Sequence, residues 1–154
     1  MASQVFRGRV AQALDPKGRI TVPRRFRDVL SEFSSGPTVV VVSDAQCLHV
    51  YPLEAWERFV ESAMRKKSPL DPSTREFGRW FASRGRDVDM DSAGRILLTP
   101  AERQHAGLTR DVMLIGPALE SFEVWDRARF EEHERQEEHK VPELMAKFSA
   151  GQGS

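Results

Sequence analysis

An aspartate followed four positions later by an arginine occurs twice in a matching frame, Asp15-Pro16-Lys17-Gly18-Arg19-Ile20 and Asp91-Ser92-Ala93-Gly94-Arg95-Ile96. The aspartate stands where a side-chain oxygen accepts backbone N–H groups of a turn. The glycine stands where a turn needs backbone freedom. Asp15, Gly18, Asp91 and Gly94 therefore read as turn-structural. No turn type requires the arginine. A guanidinium at a protruding apex is a good donor to phosphate oxygens or to a guanine edge, and Lys17 adds a second cation to the first apex. The competing use of Arg19 and Arg95 is an ion pair with the aspartate of the same turn, stapling it. Lys17, Arg24 and Arg25 gather around Arg19 and favour ligand contact there, whereas the second apex has Ala93 in place of the lysine.

Other chemistry is sparse. Arg84-Gly85-Arg86 precedes the second turn much as Arg7-Gly8-Arg9 precedes the first, and the two pairs could line a phosphate track. His49, His105, His133 and His139 show no metal-ligand spacing with one another or with Cys47, and that single cysteine has no evident base partner. There is no G-x-S-x-G, no P-loop and no dinucleotide fingerprint. The sequence thus predicts no catalytic residue, no metal site, no cofactor and no small-molecule substrate. Trp56, Trp80 and Trp125 fall on amphipathic or strand faces, where packing is the default, and Glu131 to Glu138 reads as a solvated helix face.

The elements that must carry the two turns repeat in order. In the first unit an extended run ends at Leu14, and Asp15 to Gly18 matches a type I turn. Arg19 to Val22 alternates polar and apolar and is expected to return as the hairpin partner. Pro23 then opens a short helix with Phe26, Val29 and Leu30 on one face. Thr38 to Val42 and Leu48 to Tyr51 read as strands, and Pro52 opens a longer helix. Its stripe of Trp56, Phe59, Val60, Ala63 and Met64 is core or interface. A connector and a helix around Thr74 to Ala82 follow. The second unit repeats the pattern: a turn at Asp91 to Gly94, a return strand to Leu98, and a short helix from Pro100 that Gly107 can end. Strands at Val112 to Ile115 and Phe122 to Trp125 complete it, with Asp126 capping the closing helix. The division predicted is 5–67 for the first module, 68–83 for connector and helix, 84–130 for the second module, and 131–154 for an acidic helix and flexible tail. Isolated hairpins are marginal in water, so two such units are expected to pack about a pseudo-twofold axis in an α+β fold.

Composition narrows the class. With 40% hydrophobic residues among 154 the chain can bury a core, and 30% charged residues favour solubility. One cysteine permits no internal disulfide, which fits a reducing compartment. No run is long enough to span a membrane, and Met1 to Val10 does not read as a secretory signal, so a cytoplasmic protein is expected. The 23 basic and 23 acidic residues cancel, yet residues 1–30 hold seven bases against two acids while residues 120–143 hold four against nine. A basic head is compatible with a polyanionic partner.

Taken together, Phe6-Arg7-Gly8, Leu14 to Ile20 and Val22-Pro23 resemble the opening signature of the MraZ family of bacterial transcriptional regulators. Met90-Asp91, Gly94-Arg95 and Arg103 to Thr109 resemble that family's second module, and the likeness runs from about Phe6 to about Phe130. It implies two tandem AbrB-like swapped-hairpin β modules forming a pseudo-dimeric barrel with flanking helices, and a homo-oligomer closed into a ring. It implies a cytoplasmic, nucleoid-associated regulator, not an enzyme. The expected partner is double-stranded DNA with short direct repeats upstream of the division and cell-wall gene cluster. Carried onto this chain, the DNA-contacting residues are Lys17 and Arg19, then Arg95. Arg7, Arg9, Arg24, Arg25 and Arg86 are electrostatic candidates by position. Two alternatives stay open: a structural or interaction ring whose Asp-x-x-x-Arg motifs only stabilise turns, and an AbrB-like antitoxin that binds a partner through its tail.

Overall fold

The structure is a computed structural model describing residues 5–33 and 36–151. The first unit contains β1 (Phe6–Ala13), β2 (Arg19–Thr21), α1 (Arg24–Phe33), β3 (Thr38–Ser43), β4 (Leu48–Pro52) and α2 (Leu53–Met64). Helix α3 (Pro72–Trp80) and a 3-10 turn at Ala82–Arg84 join it to the second unit. There β5 (Arg86–Asp89), β6 (Arg95–Leu97), α4 (Pro100–His105), β7 (Asp111–Leu119), β8 (Phe122–Asp126) and α5 (Arg127–Glu137) follow in the same order. A 3-10 turn at Glu138–Lys140 leads into α6 (Val141–Gly151). The repeat of elements is the one the sequence predicts.

Their pairing differs. Neither unit forms the expected hairpin between its first strand and the strand after the turn. Instead β1 pairs with β7, β5 with β3, and β2 with β6, each pair antiparallel. Strand length explains part of this exchange: β1 has eight residues and finds a nine-residue partner in β7, whereas β2 offers three. The result is a six-stranded sheet, β1-β7-β8-β4-β3-β5, beside the two-stranded ribbon β2-β6. Exchanging equivalent strands of the two units leaves the six-strand order unchanged read from the other end. A pseudo-twofold axis therefore runs between β8 and β4 and through the ribbon. Among the described residues no pairing joins the edge strands β1 and β5, so the sheet stays open and the expected closed barrel is not found.

The core lies between the sheet, the ribbon and α1. Helix α1 buries Phe26, Val29, Leu30 and Phe33 along one face, the spacing of an amphipathic helix. Phe6, Phe26 and Phe122 meet with ring centroids 5.0–5.4 Å apart, joining β1, α1 and β8. Val39 to Val42 on β3 are all buried, so this strand is covered on both faces. Where β1 crosses β7, a Cβ on Gly116 would come within 2.4 Å of the backbone of Phe6 and Arg7, so only glycine fits.

Outside this core, Tyr51, Trp56, Phe59, Phe77 and Phe81 form an aromatic cluster linking β4, α2 and the α3 segment. Trp80 beside it is 61% exposed. Residues Val141–Gly151 are helical where the sequence expects a fraying tail; Pro142 suits a first helical turn, and Leu144, Met145, Ala146 and Lys147 are good helix formers. Residues 152–154 of the expected flexible tail lie outside the described residues. Among the described residues no helix is long and apolar enough to cross a membrane.

Candidate nucleic-acid interface

Each turn is built around one carboxylate. Asp15 Oδ1 accepts the backbone N–H groups of Lys17 (2.9 Å) and Arg19 (2.8 Å), and Gly18 N–H closes the turn onto the Asp15 carbonyl at 3.0 Å. Asp91 Oδ1 does the same for Ala93 (3.0 Å) and Arg95 (2.8 Å), with Gly94 N–H on the Asp91 carbonyl at 2.9 Å. Gly18 and Gly94 have φ of +87° and +79°, the left-handed region that glycine enters without penalty. The N–H of Arg19 foremost, against partial desolvation and with help from the Arg19 side chain, holds the Asp15 carboxyl below its ordinary value. Arg95 acts likewise on Asp91.

The arginine side chains also bond back. Arg19 Nε donates to Asp15 Oδ2 at 2.6 Å, and Arg95 Nε to Asp91 Oδ2 at 2.9 Å. The stapling ion pair is thus present in both turns. It engages only Nε. Among the described residues, neither Arg19 nor Arg95 has a hydrogen-bond partner for its terminal Nη groups. The carboxylate fixes the guanidinium plane and leaves its two-pronged outer edge open, the edge that makes bidentate contacts.

The ribbon sets both arginines on one face. In its register Arg19 faces Leu97, Ile20 faces Ile96 and Thr21 faces Arg95. Because side chains alternate along a strand, Ile20 and Ile96 share one side and are fully buried. Arg19, Thr21, Arg95 and Leu97 share the other, where Leu97 is 49% exposed. The two arginines lie diagonally across this outer face. Each turn is also sewn to the opposite unit: Leu98 N–H donates to the Gly18 carbonyl (2.9 Å) and Val22 N–H to the Gly94 carbonyl (2.8 Å). A two-stranded antiparallel ribbon is slim enough to enter a DNA major groove.

The other cations predicted from sequence are dispersed. Lys17 is exposed at the first apex, Arg7 is exposed on β1, and Arg24 is exposed at the start of α1. Arg25, also exposed, lies over Gly8 on β1. Arg9 pairs with Glu134 at 2.5 Å and stacks 5.1 Å from the Phe130 ring centroid, tying α5 to β1. Arg86 grips both carboxylate oxygens of Glu102 at 2.9 and 2.7 Å and donates to the Leu97 carbonyl at 2.9 Å.

Two groups escaped the sequence reading. Arg103 of α4 packs under the first turn and Arg27 of α1 under the second, each reaching across to the other unit. A Cβ on Gly18 would lie 2.8 Å from Arg103 Nε, and one on Gly94 2.8 Å from Arg27 Nη1. Among the described residues, both Nε atoms are buried without a hydrogen-bond acceptor. The signal was present in the sequence, since Arg27 and Arg103 follow their turn aspartates at the same distance. The second group, which the spacing of Cys47 and His49 in the sequence gave no sign of, is a meeting of three side chains. The β3–β4 turn brings Asp44 Oδ2 to 2.5 Å from His49 Nε2, with Cys47 Sγ 4.0 Å from the former and 3.9 Å from the latter. Burial, with the carboxylates of Asp44 and Glu123 nearby, pushes the Cys47 thiol up from its ordinary range.

Comparison with known proteins gives a consistent result. The sequence pattern of the MraZ protein family, described as antitoxin-like, matches residues 5–80 and again residues 81–148. A protein of Syntrophobacter fumaroxidans named transcriptional regulator MraZ is 36% identical over 153 residues, covering 99% of both chains. Its namesake in Methylibium petroleiphilum is 39% identical over 97% of this chain and 99% of its own. That of Serratia proteamaculans is 43% identical over 79% of this chain and 80% of its own.

Proposed function

This chain belongs to the MraZ family, and from that premise we propose that it is a sequence-specific DNA-binding transcriptional regulator, not an enzyme. It reads short direct repeats in the promoter region of the division and cell-wall gene cluster, working in the cytoplasm on the nucleoid. The observation that carries this is the pair of Asp-held arginines on the outer face of the β2–β6 ribbon, their Nη edges free among the described residues. Arg19 and Arg95 present those edges to guanine in the major groove, where O6 and N7 form a matching pair of acceptors. Lys17, with Arg7, Arg24 and Arg25, neutralises flanking phosphates. Arg9 and Arg86 add to this positive field while their ion pairs with Glu134 and Glu102 also position α5 and the ribbon.

The exchange of β1 and β5 between units supports assigning the modules at 5–67 and 84–130 to the AbrB-like swapped-hairpin type. The half-exposed aromatics of α2 and α3, with Trp80, supply an apolar seam for neighbouring chains, and cyclic closure of that seam gives a ring. One ribbon makes few contacts, so affinity comes from several chains engaging several repeats on one DNA, a gain of roughly 10²–10⁴ through effective concentration. The test is fluorescence anisotropy at fixed salt, with promoter DNA carrying several repeats, one repeat, or a shuffled sequence. Graded binding in that order is expected. Equal affinity for all three DNAs would sink the proposal.

One observation favours a second reading. Leu144, Met145 and Phe148 on α6 are exposed, which suits the antitoxin-like description of the family through capture of a protein partner. A stable small protein that co-purifies with the full chain, and is lost when these three are changed to Ser, would favour it.

A further inference from the structure

We propose that Asp44, Cys47 and His49, at the turn between β3 and β4, bind a divalent transition-metal ion of the zinc class. Their ligand atoms converge: Asp44 Oδ2, Cys47 Sγ and His49 Nε2 all lie within 4.8 Å of one another. Around a tetrahedral zinc with bonds of 2.0–2.3 Å, such atoms stand about 3.3–3.6 Å apart. The distances from sulfur, 3.9 and 4.0 Å, need only a slight closing, and the 2.5 Å Asp44–His49 contact needs a small opening as metal replaces the shared proton. The donor set selects the ion. One cysteine sulfur, which gives up its proton as the metal binds, one imidazole and one carboxylate suit zinc and disfavour magnesium or calcium, which take oxygen ligands.

The geometry also separates a metal site from a catalytic relay. A Cys-His-Asp relay uses both ring nitrogens of the histidine, one toward each partner. Here sulfur and carboxylate approach the same nitrogen, Nε2, so the three groups face one point. The surroundings are already arranged. Asp44 Oδ1 is fixed by the N–H groups of Gln46 (2.7 Å) and Cys47 (2.9 Å), leaving Oδ2 aimed at the site. Outer partners of this kind orient metal ligands. Cys47 is buried while the His49 and Asp44 side chains are part-exposed, which leaves a way in from solvent. Glu123 stands directly opposite His49 in the β4–β8 register, but its carboxylate accepts from Trp125 Nε1 at 2.8 Å, so a water completes the fourth position. None of these residues belongs to the ribbon, so the proposal stands apart from the DNA-binding reading.

The test uses the full chain, stripped with chelator and dialysed, with zinc itself competed against a chromophoric chelator and cobalt(II) as a spectroscopic stand-in. The expected result is one zinc per chain and a cobalt form showing a thiolate-to-metal charge-transfer band. Cys47→Ser removes that band. His49→Gln and Asp44→Asn weaken zinc by at least the about 10–100-fold that loss of an outer-shell partner alone costs. His105→Gln, whose ring bonds the Asp44 backbone carbonyl and not a ligand atom, leaves binding unchanged. Circular dichroism without metal shows which variants fold. If Cys47→Ser does not, His49→Gln and Asp44→Asn decide, because both alter part-exposed side chains. A wild-type chain that takes up no stoichiometric zinc overturns the site, as does uptake that survives in both His49→Gln and Asp44→Asn.

Discussion

At the scale of single residues, the ion pair in each turn and DNA contact by the same arginine are compatible uses of one side chain. Asp15 takes Nε and holds the plane; the Nη edge remains for a ligand. Arg19→Ala is therefore expected to lose about 1–3 kcal/mol per guanine contact, repeated over each engaged chain, and to lose specific binding while oligomer mass is kept. Lys17→Ala weakens binding to every sequence alike and makes its salt dependence shallower, as loss of a phosphate contact does. Anisotropy titrations over a range of salt separate the two. Equal losses on specific and shuffled DNA for Arg19→Ala would falsify base reading. Asp15 gives a pH prediction. Its carboxyl is held below the ordinary value, so its stabilisation of the turn is complete at neutral pH. That stabilisation is lost as pH falls through the lowered folded value. Melting temperature followed into acid should therefore fall less steeply in Asp15→Asn than in the parent chain, and less steeply still with Asp91→Asn added. Parallel acid limbs in all three proteins would show that the turns carry no such linkage.

At the scale of elements, the ribbon is three residues per strand and its stability comes from what lies beneath it. Ile20 and Ile96 face each other and are fully buried, while the outer face carries the arginines. Ile20→Ala should cost about 2–5 kcal/mol, the range for truncating a buried isoleucine, and Ile96→Ala a similar amount by the pseudo-symmetry. Urea unfolding of the two variants is the measurement. A cost under about 0.5 kcal/mol for either, the range of ordinary surface changes, would mean that the ribbon is not packed as described.

For the whole molecule, strand exchange makes the two units interdependent. Residues 1–80 contain β1 without β7, β2 without β6, and β3 without β5. Expressed alone, that segment should either stay unfolded or form a dimer in which a second copy supplies the missing strands. Light scattering with circular dichroism distinguishes these outcomes, and a folded monomer would contradict the pairing. The full chain should itself scatter as a closed oligomer of several copies at micromolar concentration; a clean monomer there removes the ring.

Much of this was legible in the residues. The doubled Asp-x-x-x-Arg turns, the order of elements and the Asp126 cap follow from local chemistry: side-chain oxygens that satisfy nearby N–H groups, glycines at positive φ, and apolar periodicity. Those rules act over a few residues, so one sequence suffices to read them. The partner of each strand was not legible, because any two strands of compatible pattern can pair and only the competition among all of them decides. That competition turned two expected hairpins into exchanged strands and set Arg19 and Arg95 on one face. The same limit hid Arg27 and Arg103, whose positions matter only once each unit's helix lies beneath the other's turn. It also hid the meeting of Asp44 with Cys47 and His49, since the reach of a side chain across a turn is fixed by the register of β3 on β4. Local chemistry wrote the groups into the chain, and the packing of two incomplete units chose which of them meet.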